Sequence, residues 1–194
     1  MTDRESDSRS PVGASGIPAH ERLAANLGVR LYASLAKPDR ILEHFRAEAI
    51  RALELTRKLP EEAGARAVRI RRFPGIEADS RQWSVYMTLD HLVMVNTAIT
   101  ALIHAICSDH RHGVEIRLED AQPHVSAGPD RITALEVLVE RYAHQIQCLG
   151  VLRSRARYPH PWFGPMTARQ WHALAALHNR MHRVQIEKII RRLD

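Results

Sequence analysis

The sequence predicts an all-α protein, a four-helix up-and-down bundle with an extra N-terminal helical segment. Three observations predict it. Apolar residues recur with the helical period over four segments of roughly 22–26 residues, each about 35 Å long at the helical rise. Proline- and glycine-containing breaks separate those segments. No segment alternates convincingly as a strand would, the short Val114–Leu118 stretch being the nearest to one. The length, 194 residues, suits a single domain with a proper core, assigned here to 17–194.

Residues 1–16 read as a disordered tail rich in Ser, Asp, Gly and Arg. Residues 17–36 carry Leu23, Leu27, Leu31 and Leu35 for a short helix, whose leucine face would either contact a second copy in a homodimer or fold back on the bundle. Pro38-Asp39 opens the first long helix, which runs to about Leu59 and is ended by Pro60 and Gly64. A basic linker, 65–82, contains the breaker Phe73-Pro74-Gly75. The second helix runs from about Gln82 to Cys107, and the third covers about 130–154 after a polar loop. The turn at 158–165 leads into the fourth, about 168–193. That last helix has a strong start. Thr167 as N-cap and Gln170 three residues on form a capping box, with Met166 and Trp171 as the hydrophobic staple.

Composition narrows the function classes. The net charge is +6, but the arginines are scattered over outer helix faces, and aromatic content of 5% offers little for stacking on bases. A solvated basic surface is expected, with no nucleic-acid partner. No run of 18 apolar residues predicts a membrane span, and the polar N-terminus has no apolar signal-peptide core. Cys107 and Cys148 make no metal or redox motif by spacing, so two reduced thiols in a cytoplasmic protein are expected.

The chemistry concentrates in the last helix. His178 and His182 lie one turn apart, on a stripe with Trp171, Leu174, Met181, Gln185 and Ile189. Buried imidazoles need partners. Gln185, a tyrosine or backbone would supply them in a structural pair, and a shared metal ion would supply them in a site. Position among the twelve histidines selects a third. The second helix puts Asp90, Asn96, Thr97, Thr100 and His104 on a polar stripe and His91 on the flank of its apolar side. His91 and His178 fall roughly 14 and 15 Å from their helix starts. If the second and fourth helices run parallel, the three rings meet at one level. The metal reading is preferred, with His91, His178 and His182 as ligands.

Other residues are weaker candidates. His144 and Cys148 face away from the core stripe of their helix. His44 and Glu48 form either an edge ion pair or support for the metal site. His160 reads first as structural, Trp162 and Phe163 as a bundle cap, and Met87 and Met181 as core filler. Arg153, Arg155 and Arg157 read as a solvated helix end, or as a receiver for a cofactor carboxylate.

Two segments resemble a known family. Trp83-Ser-Val-Tyr-Met-Thr-Leu-Asp-His91-Leu is similar to the second helix of the DinB/YfiT-like superfamily. His160-Pro-Trp-Phe-Gly-Pro-Met-Thr-x-x-Gln-Trp171, followed by His178-x-x-x-His182-x-x-Gln185-Ile, resembles its closing turn and helix. The resemblance covers roughly 38–193 and implies a DinB-like four-helix bundle with a mirrored up-and-down arrangement. It implies a divalent ion, zinc or nickel, on His91, His178 and His182. It also implies kinship with thiol-dependent S-transferases and a mycothiol-dependent maleylpyruvate isomerase, hence a low-molecular-weight thiol cofactor and a small-molecule substrate.

Three neutral ligands with an open fourth position are a catalytic arrangement. They leave the ion's full charge in place to activate a bound water or thiol. The expected function is thiol-dependent transfer. The alternatives are metal-dependent hydrolysis, or a non-enzymatic metal-binding, stress-associated bundle that works through a partner. Spacing places no carboxylate beside the histidines as a general base.

Overall fold

The structure, a computed structural model, describes residues 16–108 and 121–193. The described chain is mostly helical, in agreement with the all-α expectation. Helix α1 spans Ala19–Leu35, α2 Pro38–Arg57, α3 Glu61–Ala65, α4 Val85–Cys107, α5 Asp130–Leu149 and α6 Ala168–Leu193. A 3-10 turn, Asp79–Gln82, precedes α4, and two short strands, β1 (Tyr158–His160) and β2 (Gly164–Met166), precede α6. Residues 1–15 of the expected tail and the Val114–Leu118 strand lie outside the described residues.

Local chemistry explains the boundaries. α2 has Pro38 in its first turn, where a missing N–H costs nothing. α4 starts three residues later than the sequence suggested, because Ser84 is its N-cap and accepts the Met87 N–H at 3.1 Å. α6 starts where expected. The Thr167 N–H donates to Gln170 Oε1 at 2.9 Å and the Gln170 N–H to Thr167 Oγ1 at 3.3 Å, the reciprocal capping box. α5 stops short of the expected 154. Gly150, at φ +59°, turns the chain left-handed while its N–H reaches the Ile146 and Gln147 carbonyls. Arg153, Arg155 and Arg157 are therefore not a helix end, and all three are exposed.

The turn at 158–165 is a correction. It is an antiparallel hairpin, with Tyr158 opposite Met166, Pro159 opposite Pro165 and His160 opposite Gly164. Pro159 and Pro165 have no N–H for a ladder, so this pattern suits a two-stranded ribbon and no wider sheet. Gly64 is a second correction. It lies inside α3, where a Cβ would come within 2.5 Å of the Tyr86 ring, so its role is the close approach of α3 to α4.

Four long helices contact one another in a ring, α2 with α6, α6 with α4, α4 with α5, and α5 with α2. Hydrogen bonds give their directions. His172 bonds the Pro38 carbonyl, Asn179 that of Phe45, and Arg183 the Glu48 carboxylate, so α2 and α6 run parallel. Gln185 bonds the Ser80 carbonyl, Trp83 stacks on His182, and His91 meets His178, so α4 and α6 run antiparallel. This corrects the parallel relation expected of them. α4 and α5 run the same way. Asp90 meets Arg131 near both starts, and the Ile106 carbonyl in the last turn of α4 accepts from Ser154, just past the end of α5. Parallel neighbours need a long connection, and residues 108–129 provide one.

The core sits between these helices. Phe45 and Tyr142 stack at 3.9 Å between ring centroids, both fully buried. Asp90 and Asn96, expected on a polar stripe of α4, are buried instead. Each has partners across the fold: Asn96 donates to Asn179 at 2.8 Å, and Asp90 accepts from His124 and Arg131. By length and composition α4 alone among the described helices could cross a membrane. Half of its most apolar window is buried within the protein, as befits a helix packed on both α5 and α6.

α1 lies on α6 through Val29 and Ala33. Its leucine face does not fold back on the helices beneath, since Leu23, Leu27, Leu31 and Leu35 are 54–75% exposed. The other side of α1 closes one wall over the site. Arg30 donates to the Phe163 and Pro165 carbonyls, and Glu21 accepts from Arg72 and from the Gly75 N–H.

Candidate metal centre

α4 and α6 bring His91, His178 and His182 together. One nitrogen of each falls within 4.8 Å of the others, a group able to hold a metal ion. His178 Nε2 lies 3.2 Å from His91 Nε2 and 3.1 Å from His182 Nε2. A tetrahedral ion with metal–nitrogen distances of about 2.0–2.1 Å would separate its ligands by about 3.3 Å.

The outward nitrogens decide what the inward ones offer. His91 Nδ1 lies 2.6 Å from the Ala121 carbonyl, which can only accept, so this nitrogen carries the proton. His182 Nδ1 lies 2.6 Å from Gln185 Oε1. The Gln185 amide is oriented by its own Nε2 donating to the Ser80 carbonyl at 2.6 Å. Both rings therefore turn Nε2 lone pairs inward, the usual arrangement of ligands held by a second set of contacts. His178 stands between two lone pairs. Its Nε2 can donate one proton, to one neighbour, and its Nδ1 is buried without a hydrogen-bond partner among the described residues. Among the described residues, protein groups leave at least one of these nitrogens unsatisfied. A cation shared by the three Nε2 atoms would satisfy all three lone pairs at once, so the residues present fit a divalent ion.

Electrostatics prepares the same chemistry. Burial pushes His91 down to about 4. It drives His178 and His182 well below the usual imidazole range, and the neighbouring rings add to the effect. All three are neutral at pH 7 and ready as ligands. Trp83 covers one side, tilted 4.9 Å from His91 and stacked 6.1 Å from His182.

Asp90, beside His91, anchors the segment that carries Ala121. Burial alone would push its carboxyl up. Hydrogen bonds from the His124 backbone and ring and from Arg131 outweigh that and hold it below the usual carboxylate range.

The site opens onto a cavity of about 480 Å³, lined by apolar side chains from α1, α4, α6, the hairpin and the 74–83 segment. Phe163 belongs to the core and Trp162 packs against it, as expected, and both also line the cavity, as does Met181. His160 has both roles. Its Nδ1 accepts the Trp162 N–H at 3.1 Å, its ring stacks on Phe163, and it lines the cavity. Glu77 is a carboxylate on that lining which helical spacing could not find, because it lies outside the helices. Burial and nearby Asp79 push its carboxyl up.

Other described histidines separate from the site. His44 and Glu48 are the edge pair, 3.6 Å apart, with Glu48 also binding Arg183 at 2.6 Å. His144 and Cys148 are exposed, as is His104. His172 was missed in the sequence. It is fully buried, between the Tyr142 hydroxyl at 2.7 Å and the Pro38 carbonyl at 3.1 Å.

Burial pushes both His172 and His160 down to about 4. Below about pH 6.5 the unfolded chain takes up protons that the folded rings refuse. The contribution of these rings is fully present above about pH 6.5 and is lost as the pH falls toward 4. Urea unfolding of metal-free protein should show a midpoint that drops between pH 7 and pH 4.5. A flat profile would contradict the burial of neutral rings.

Comparison with protein-family models, with curated proteins and with solved structures returned no match to this chain.

Proposed function

We propose that the chain is a DinB-like four-helix-bundle metalloprotein in which His91, His178 and His182 hold a divalent ion, zinc or nickel, and that it acts as a thiol-dependent transferase on a small molecule. The observation that carries the metal reading is the set of three converging Nε2 atoms, two of them fixed as lone pairs by Ala121 and Gln185. The ring of four long helices supports the bundle. The thiol rests on the resemblance of the Trp83–Leu92 and His160–Ile186 segments.

When bound, the ion supplies Lewis acidity toward a thiol or a water. The protein supplies the rest. Three imidazoles hold the position and add no charge. Ala121 and Gln185 keep the rings turned inward. The apolar cavity wall excludes water from the reacting partner. Among the described residues no further Cys, His, Asp or Glu joins the cluster.

Metal analysis of protein purified without chelator tests the first part, with one ion per chain expected. Ester and phosphoester panels, and electrophile panels with added thiols, test the second. Turnover that requires a thiol supports transfer, and turnover without one supports hydrolysis. Gln185→Leu should weaken zinc binding about 10–100-fold, because His182 loses the acceptor that fixes its tautomer. Competition with a chromogenic chelator checks this, and unchanged affinity would remove Gln185 from the site.

A further inference from the structure

The cavity beyond the histidines has an unusual charge balance. All three tryptophans of the chain, Trp83, Trp162 and Trp171, line it, with Val95, Ile99 and Met181 among its other walls. Among the described residues no Arg or Lys lines it, although the chain is rich in arginine. Among the described lining residues Glu77 is the one carboxylate, and it has no hydrogen bond or ion pair with another described residue. Polar groups on such a lining decide which ligands enter, because a buried charge without a partner is costly. A ligand carboxylate or phosphate placed here would find no cation among the described lining residues and would share the space with a carboxyl group. A neutral body would gain the apolar walls at no such cost, and a hydrogen-bond donor on it would meet Glu77.

We propose that this cavity selects a ligand whose body is apolar and carries no negative charge, and that Glu77 enforces that selection. The metal-site reading enters only through the ligand's head, which would reach the three histidines. The substrate class is then a hydrophobic neutral molecule, and among thiols an uncharged one is preferred over an anionic one.

Tryptophan fluorescence provides the test, since every tryptophan faces the cavity. Metal-free protein is titrated with octanamide and with the eight-carbon monoamide of suberic acid, which differs in ending on a carboxylate. Zinc-loaded protein is titrated with the two corresponding hydroxamates. The expected result in each pair is at least tenfold tighter binding of the methyl-ended probe. In Glu77→Gln, which keeps the shape and removes the charge, the gap should shrink at least threefold. Glu77→Lys should reverse it. The proposal is overturned if the carboxylate-ended probe binds as well, if neither methyl-ended probe binds, or if Glu77→Gln leaves the gap unchanged. Failure of the metal reading shows separately. Zinc would then add nothing to hydroxamate binding, while the charge preference would still be read from the amides.

Discussion

Replacing His178 with leucine is expected to abolish tight divalent-ion binding while the metal-free fold keeps its stability to within about 1 kcal/mol. Both outcomes follow from the position of the ring. His178 sits between two inward lone pairs, and its own Nδ1 is buried without a partner among the described residues. Without an ion, the ring is an unsatisfied polar group, and such groups cost about 1–3 kcal/mol. Leucine has a similar bulk and removes that unsatisfied nitrogen, but it also removes the one N–H that the His91 or His182 Nε2 can accept, and the two effects, about 1–3 kcal/mol each, offset one another in urea unfolding of metal-free His178→Leu. Its zinc affinity should fall by more than the roughly 10–100-fold expected when a ligand only loses its supporting contact. His182→Leu is the contrast. It also removes a ligand, but it strands the Gln185 carbonyl oxygen while His178 can still donate to His91, so metal-free stability should fall. If His178→Leu destabilised the metal-free protein by more than about 3 kcal/mol, the ring would have partners beyond these two imidazoles.

The second large effect belongs to the core. Phe45 is fully buried on α2, stacked on Tyr142 of α5, and its carbonyl receives the Asn179 side chain of α6. One residue thus joins three helices. Phe45→Ala should cost about 3–5 kcal/mol through lost burial and the cavity left behind. In a chain of this size that lowers the melting temperature by roughly 10 °C. Because α2 and α6 run parallel through this contact, His178 and His182 should lose their fixed positions as the fold loosens, and zinc binding should weaken together with stability. A loss below about 1 kcal/mol would mean the stack is not a centre of the core.

The helices were legible where local chemistry sets them. The α6 start follows from Thr167 and Gln170 alone, since a capping box involves only neighbours in sequence. The start of α4 and the end of α5 were misplaced by a few residues, at Ser84 and Gly150, where one cap residue outweighs a periodic pattern that runs past it. The hairpin was missed because three-residue strands containing proline carry no alternation. Helix direction was beyond periodicity altogether. The sequence offers no signal for whether 108–129 turns back or crosses over, and that choice makes α4 antiparallel to α6.

The three histidines were readable because all lie on helices, where spacing assigns a face. Their supports were not. Ala121 offers a carbonyl that any residue possesses, Ser80 acts through its backbone, and Glu77 lies in irregular chain. Asp90 and Asn96 were placed with the solvated residues because their partners, His124, Arg131 and Asn179, lie on other elements. A polar side chain looks the same in sequence whether water or a distant partner satisfies it.

The most direct test of the metal centre is X-ray absorption on protein loaded with one equivalent of zinc and dialysed against metal-free buffer. Three imidazole nitrogens at about 2.0–2.1 Å are expected, with one light atom that a small thiol replaces by sulfur. Failure to retain the ion, or a first shell with fewer than three imidazoles, would contradict the assignment of His91, His178 and His182.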